Sequence, residues 1–259
     1  MIREDITKHI QSNTLRVGAG QSLAIMPEGA IPQDLQIEVQ PRAQLDLLAL
    51  HTGTCSVRFC VSQAEDSRVN LFLLALDGDE VAQSVRVNLL GAHAECSIFG
   101  LSAASLSQKY SSDIVVNHAA ASCSSVQLFR QVVSDSAAVS FEGRVVVAQN
   151  AQHTDAHQSC KTLMLSESAH VHTLPHLEIY ADDVKCSHGA TVGQLSAEAL
   201  FYLRSRGVSL LRARQLLLLG FADEVVQKIP APAIRESIAA LIAQKIAANA
   251  PADVNPFAP

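Results

Sequence analysis

The sequence of 259 residues contains no tryptophan, and only 4% of its residues are aromatic. Its apolar 48% is therefore mostly Ala, Val, Leu and Ile, which suits stacked aliphatic layers. Carbohydrate-active enzymes usually present aromatic platforms, so this composition argues against one. Positive charge is not in surplus either, since 19 Lys and Arg stand against 25 Asp and Glu. The net charge of −6 argues against nucleic acid as a partner.

Segments that would direct the chain to a membrane or to secretion are also lacking. The sequence has no run of the ~20 apolar residues that a bilayer span requires. Its first residues, Met1 to Thr7, do not combine a basic region with an apolar one. The six cysteines form no CxxC pair, which favours free thiols over a disulfide framework. We therefore expect a cytoplasmic protein that does not engage a membrane.

Common catalytic and nucleotide-binding motifs are absent from the sequence. It contains no GxSxG, GxxxxGK[ST] or GxGxxG pattern. Glu178 and the Asp182–Asp183 pair could act as paired carboxylates, but acidic pairs at the end of a strand are typical of a solvated turn. We expect no catalytic residues and no nucleotide bound by this chain.

Between residues 20 and 185 the sequence consists of short β-rich runs separated by Gly, Ser, Asn and Asp. Asp34–Val39, Val69–Leu76 and Ala138–Val147 are examples, and each has the length of one strand. An antiparallel sandwich and a parallel β-solenoid both fit such runs. A sandwich would need hairpin turns, but Asn-Gly is absent and Asp77-Gly78 is the single Asp-Gly. Small residues recur before the runs, which favours the solenoid.

The sequence from Ser196 onward predicts helices. Ser196 and Ser209 are candidate N-caps, while Gly207 and Gly220 are candidate ends of the first and second helices. A last helix is predicted over Ala233–Asn249, with isoleucines and leucine spaced along one face.

Six of the ten histidines lie between positions 153 and 188, together with two cysteines. His153 and His157 are four residues apart, and His170 and His172 are two apart, so each pair would share a face on an extended strand. Imidazole and thiolate suit borderline and soft metals. The alternative is that these histidines are ordinary strand residues, because their spacing matches no established metal motif.

One long stretch resembles a known family. Residues 173–191 read T-L-P-H-L-E-I-Y-A-D-D-V-K-C-S-H-G-A-T, residues 141–147 read F-E-G-R-V-V-V, and residues 213–226 read A-R-Q-L-L-L-L-G-F-A-D-E-V-V. These segments resemble the core of the SufB/SufD family of iron–sulfur cluster assembly proteins. The form Cys186-Ser187-His188-Gly189 is similar to the SufD branch, because SufB proteins carry a glutamate where Gly189 stands here.

The resemblance implies a right-handed parallel β-helix with flanking helices, acting as a non-enzymatic scaffold. It implies assembly with a SufB-like paralogue and a SufC-type ABC ATPase. Cys186 and His188 would lie near the interface with the paralogue, where a transient iron–sulfur cluster forms, and would act as metal ligands. Cys160 falls where SufB proteins carry a functional cysteine and is a third candidate, although a small buried thiol is the plainer interpretation.

We predict four regions: a short N-terminal segment at 1–19, a parallel β-helix at 20–190, a helical subdomain at 191–250 and a flexible tail at 251–259. The apolar helical residues Phe221, Val225 and Val226 are predicted to bind the ATPase, unless the helices simply pack on the β-helix. Exposed strand edges at the solenoid end predict pairing, either as a homodimer or with the paralogue. A carbohydrate-active enzyme and a purely structural solenoid remain the alternative functions.

Overall fold

The chain is described by a computed structural model over residues 1–4, 6–27 and 31–249, and at residues 2–4, 7, 248 and 249 only the backbone is described. The predicted tail at 251–259 lies outside these residues. The described part holds sixteen strands. They are β1 Ile2–Glu4, β2 Ile10–Gln11, β3 Thr14–Val17, β4 Ser22–Pro27, β5 Asp34–Val39, β6 Gln44–Thr52, β7 Cys55–Gln63, β8 Arg68–Asp77, β9 Glu80–Leu89, β10 Glu95–Ala104, β11 Lys109–His118, β12 Ser124–Val133, β13 Ala138–Val147, β14 Thr154–Met164, β15 His170–Ile179 and β16 Val184–Gly193.

Successive strands alternate between two sheets, which is the arrangement of a β-solenoid. Sheet A has the order β1-β4-β6-β8-β10-β12-β14-β16, and sheet B has the order β15-β13-β11-β9-β7-β5-β3-β2. Neighbouring strands are parallel, apart from the short antiparallel pair β2–β3. Equivalent side chains therefore stack from coil to coil, as where Asn117 donates to Asn88, 29 residues earlier, at 2.8 Å. The predicted parallel solenoid is confirmed, and the sandwich is wrong.

Strand pairing begins before residue 20, where the sequence pattern suggested that the solenoid starts. β1 pairs with β4, and β3 pairs with β5, so the first residues of the chain already form part of both sheets. The pattern missed these strands because they are two to four residues long, too short for a period-2 alternation to be read.

The space between the two sheets is filled by aliphatic side chains that stack in rows. Leu45, Val69 and Cys96 form one such row on sheet A, each in register with the next. Burial of Val, Leu and Ile in rows explains how a chain without tryptophan builds a continuous core.

Three helices follow the last strand: α1 Ala197–Ser205, α2 Leu210–Val226 and α3 Pro232–Asn249. The side chains of Ser196 and Ser209 accept hydrogen bonds from the backbone N–H of Ala199 and Arg212, as the sequence predicts. Gly207 follows α1 with a φ of 82°, which fits its predicted role as a stop. Gly220 does not end the second helix, and α2 continues through it to Val226.

Helices α2 and α3 cover the outer face of sheet A. Their apolar side chains form one cluster with residues from β4, β6, β8, β10 and β12, including Leu48, Phe72 and Leu101. Val225 and Val226 are 0% and 2% exposed within this cluster. These two residues therefore belong to the core of the chain, and their prediction as a partner-binding surface is wrong. Among the described residues, no helix is long and apolar enough to span a membrane.

Arg130 anchors α2 to the solenoid. Its guanidinium on β12 is 3% exposed and donates from Nε to Oε2 of Glu224 at 2.9 Å, while Nη1 donates to the carbonyl of Phe129 at 2.8 Å. The ring of Phe221 lies 5.8 Å from the guanidinium carbon. Phe221 is partly buried, so this residue too contributes to attaching the helix.

Candidate functional site

The C-terminal end of the solenoid is open. β15 and β16 are the last strands of sheets B and A, and each pairs with one neighbour in the part of the chain that the structure describes. From Ser187 to Gly193 every residue of β16 is exposed. Large apolar side chains are also exposed on this last coil: Leu174, Ile179, Tyr180 and Val192. Unpaired strand edges with exposed apolar residues are typical of a surface that another chain covers.

Cys186 and His188 lie on this last strand and face the same side. Cys186 is in register with the buried Ala156 of β14, and His188 is in register with the buried Gln158. Both side chains therefore continue the inward-facing row of sheet A into the open end, as their spacing of two residues predicts. Cys186 is half-buried and packs against the aliphatic cluster around Ala156, whereas His188 is exposed.

The surroundings of Cys186 favour the neutral thiol. Burial raises its pKa, the Asp155 carboxylate raises the pKa further, and a backbone hydrogen bond at Ala156 opposes the shift only in part. A nearby cation or metal would favour the thiolate, whereas the charged neighbour that acts on this thiol is a carboxylate. A metal ion or a positive group from another molecule would have to supply that stabilisation.

Cys160 lies one coil deeper, in register with Ala190 of β16, and is 1% exposed. Burial raises its pKa to about 12, against smaller opposing effects of Thr162, Arg130 and Thr173. Its thiol donates to Oε1 of Gln131 at 3.6 Å, and the Thr162 hydroxyl donates to the same oxygen at 3.0 Å.

Part of the interior of the last coils is polar and lies beside the apolar cluster around Ala156. Gln158 donates to Gln127 at 2.8 Å, and Gly143 makes room for it, because a Cβ there would lie 2.1 Å from the Gln158 nitrogen. Within the described chain, four buried polar atoms of this region have no hydrogen-bond partner. They are Nε2 of Gln127, Nε2 of Gln131, Oε1 of Gln158 and Oγ1 of Thr173. Cys160 thus sits in a polar layer directly beneath the strand that carries Cys186 and His188.

The six clustered histidines occupy four different places. His170 and His172 share the outer face of sheet B, together with His176, which confirms the face predicted for that pair. His153 lies in the turn before β14 with a φ of 61°, so it is not on the extended strand that the predicted shared face with His157 requires. Among the described residues, no three His, Cys, Asp or Glu side chains are grouped to hold a metal ion.

Sequence reasoning missed one polar contact between the last two strands of sheet A. His157 on β14 lies 2.6 Å from the Ser187 hydroxyl through Nδ1, and 2.8 Å from Oδ1 of Asp155 through Nε2. Nδ1 and the Ser187 hydroxyl share a hydrogen bond whose donor depends on the tautomer of the ring. The contact fixes β16 against β14 on the outer face, and only strand register reveals it.

Comparison with known proteins identifies the family. The model described as "SUF system FeS cluster assembly, SufBD core domain" matches residues 33–221. The chain is 34% identical over 187 residues to the iron–sulfur cluster assembly protein SufD of Escherichia coli, covering 72% of this chain and 44% of that protein.

Two further relatives match shorter or similar lengths of the chain. An iron–sulfur cluster assembly SufBD family protein of Synechocystis is 46% identical over 119 residues, which is 46% of this chain and 26% of that protein. The chloroplastic protein ABCI7 of Arabidopsis thaliana is 35% identical over 179 residues, covering 68% of this chain and 37% of the relative. The chain spans less than half the length of each of these relatives. With a family match that covers most of its solenoid and reaches into α2, the chain belongs to the SufBD family of the SUF system of iron–sulfur cluster assembly, and it is SufD-like.

Proposed function

We propose that this chain is a non-enzymatic scaffold subunit for iron–sulfur cluster assembly, acting in a complex of the SufB–SufC–SufD type. The observation that carries the proposal is the open solenoid end, where Cys186 and His188 continue the inward row into an uncovered strand edge. Family membership favours this function over a carbohydrate-active enzyme or a purely structural solenoid.

In this proposal a SufB-like paralogue covers β15 and β16, and the nascent cluster is the cargo held between the two chains. Cys186 and His188 offer one thiolate and one imidazole, and the paralogue supplies the remaining ligands. Iron would displace the proton that Asp155 and burial keep on Cys186, which couples formation of the thiolate to arrival of the metal. Cys160, buried in the polar layer below, is the less direct third candidate.

Anaerobic reconstitution with iron and sulfide in the presence of the paralogue tests the site. We expect Cys186→Ser and His188→Ala to lower the cluster absorbance by about tenfold or more, because each removes a ligand, while thermal unfolding is unchanged. Cys60→Ser is the matched control, since Cys60 is a half-exposed thiol on β7, far from the open end. Full cluster absorbance in both Cys186 and His188 variants would contradict the assignment.

We also propose that a SufC-type ATPase docks on the exposed apolar side of the helices rather than on Phe221, Val225 and Val226. Phe201 and Tyr202 on α1 are 66% and 57% exposed, and Leu211 on α2 is 42% exposed. The neighbouring chain of an ATPase would cover these side chains, which are large for a surface in contact with water.

Charge substitution tests this docking surface better than deletion of α2 and α3, which would expose the apolar outer face of sheet A. We expect Phe201→Glu and Leu211→Glu to weaken ATPase binding by about tenfold or more in a calorimetric titration. Leu106→Glu is the control, because Leu106 is 70% exposed in a turn between β10 and β11. Unchanged binding in the two helix variants would place docking elsewhere.

A further inference from the structure

A cysteine and a histidine meet at one corner of the solenoid, remote in sequence from the open end. His51 lies near the end of β6 and Cys55 begins β7, and the exposed turn Thr52–Thr54 joins them. The Cys55 sulfur lies 3.2 Å from Nδ1 of His51. The imidazole is 6% exposed, while the thiol is half-buried and therefore open to solvent on one side.

The pair is neutral because of its burial. Burial lowers the pKa of His51 to about 4 and raises the pKa of Cys55. One hydrogen joins the Cys55 sulfur and Nδ1 of His51, and the tautomer of the ring decides which of the two atoms donates it. The other ring nitrogen, Nε2, is buried and has no hydrogen-bond partner in the described chain. The contact thus joins a thiol sulfur and an imidazole nitrogen, both of which are ligands for soft metals.

We propose that Cys55 and His51 form a binding site for a soft monovalent cation of the Cu(I) class. In the binding step the S–H bond of Cys55 breaks, a bond forms between its sulfur and the metal, and the proton leaves to solvent. Nδ1 of His51 donates its lone pair as the second ligand. The oxidation state of the metal and of the sulfur does not change, so no oxidant or reductant is consumed.

Charge explains why a monovalent ion suits this corner. Exchange of one proton for one monovalent cation leaves the pair neutral, so burial does not penalise the bound form. A divalent ion would leave a net positive charge beside an imidazole that is 6% exposed, which is costly without a further anionic ligand.

The local geometry can accommodate the ion with a small movement. Bonds as long as those of zinc to sulfur and nitrogen, about 2.3 and about 2.0 Å, would hold the two atoms roughly 4 Å apart. The contact at 3.2 Å therefore has to open by roughly 1 Å. The backbone of the turn is held, because Gly53 and Thr54 pack against Gly78 and the Thr54 hydroxyl accepts from the N–H of Asp79 at 2.9 Å. The opening therefore comes from the half-buried side chain of Cys55 rather than from the turn.

Protection from alkylation, read for each cysteine by peptide mass spectrometry, tests the site on the intact protein. One equivalent of Cu(I), added anaerobically, is expected to slow the reaction of Cys55 with N-ethylmaleimide by about tenfold or more. Cys60 is the internal control, because it lies on the same strand with its side chain on the opposite face. Equal protection of Cys60 and Cys55 would overturn the proposal without the need for any variant.

Two further measurements address the histidine and the charge. His51→Gln keeps a hydrogen-bond acceptor but removes the imidazole, and we expect it to abolish the protection of Cys55. Protection that persists in this variant would show that His51 is not a ligand. One equivalent of Zn(II) in place of Cu(I) is expected to leave the alkylation rate of Cys55 unchanged, and equal protection by Zn(II) would refute selection by charge.

Discussion

His118 is a titratable group that this fold buries in its neutral form. It ends β11 at 1% exposure, with Nε2 2.8 Å from the Ser125 hydroxyl and no partner for Nδ1 in the described chain. Burial lowers its pKa from 6.5 to about 4. Above pH 6.5 the ring is neutral in both the folded and unfolded states, so its contribution to stability is fully present there.

Acidification is therefore expected to destabilise the protein through His118. As pH falls from 6.5 towards 4, the unfolded state binds a proton that the folded state rejects. The free energy of unfolding should fall by at most about 1.4 kcal/mol per pH unit from this residue, on the order of 3 kcal/mol in all. Denaturant titrations of the wild type and His118→Gln over this range would measure it, and equal slopes against pH would refute the assignment.

Single residues differ in how far the sequence reveals their neighbours. The shared face of Cys186 and His188 follows from their spacing on one strand, which needs no knowledge of the fold. The contact between His157 and Ser187 depends on the register of two strands, and the contact between His51 and Cys55 depends on the path of a turn. The spacing of residues along the chain predicts neither of these two contacts, so they could not be found from the sequence.

At the scale of elements, the ion pair of Arg130 with Glu224 joins α2 to the solenoid, and its two partners differ in exposure. The Arg130 side chain is 3% exposed and that of Glu224 is 45% exposed. Loss of Glu224 leaves a buried guanidinium without its carboxylate, whereas loss of Arg130 leaves a carboxylate that water can reach.

We expect Glu224→Ala to cost about 3 kcal/mol and Arg130→Met to cost about 1 kcal/mol in the free energy of unfolding. Chemical denaturation of both variants measures the two values. The test compares the loss of unfolding free energy in the two variants. A larger loss in Arg130→Met than in Glu224→Ala would show that packing of the arginine stem, rather than its charge, attaches the helix.

The helices also show where element prediction fails. Both serine caps and the stop at Gly207 lie in local sequence and are correctly predicted. The sequence predicts an end at Gly220, but α2 continues through it, since a glycine inside a helix costs only about 1 kcal/mol. Burial of Leu218, Ala222 and Val225 on either side of it outweighs that cost, and their burial depends on sheet A rather than on the helix itself.

At the scale of the whole molecule, the aliphatic, strand-sized runs of the sequence are enough to predict the solenoid fold. The open end can be recognised only from the order of strands in each sheet of the structure. Val192, 50% exposed on β16, lies on the edge that we propose the paralogue or a second copy covers. Val192→Lys should weaken that association by about tenfold or more, because a lysine on an edge strand opposes pairing.

Sedimentation velocity of the protein alone and with the SufB-like paralogue checks this prediction. Leu90→Lys is the control, since Leu90 is 60% exposed just after β9, away from the last coil. If Val192→Lys and the wild type associate equally, the edge of β16 is not the interface.

The helical pair on sheet A has a mechanical consequence. The apolar cluster contains side chains from β4, β6, β8, β10 and β12 of sheet A, so α2 and α3 contact several coils at once. A pulling force cannot separate one of these coils from the next without also breaking its packing against the same two helices. β15 and β16 contribute no residue to that cluster among the parts described. Under tension we therefore expect the last coil to separate first. The end that carries Cys186 and His188 is the part of the solenoid that deforms most easily.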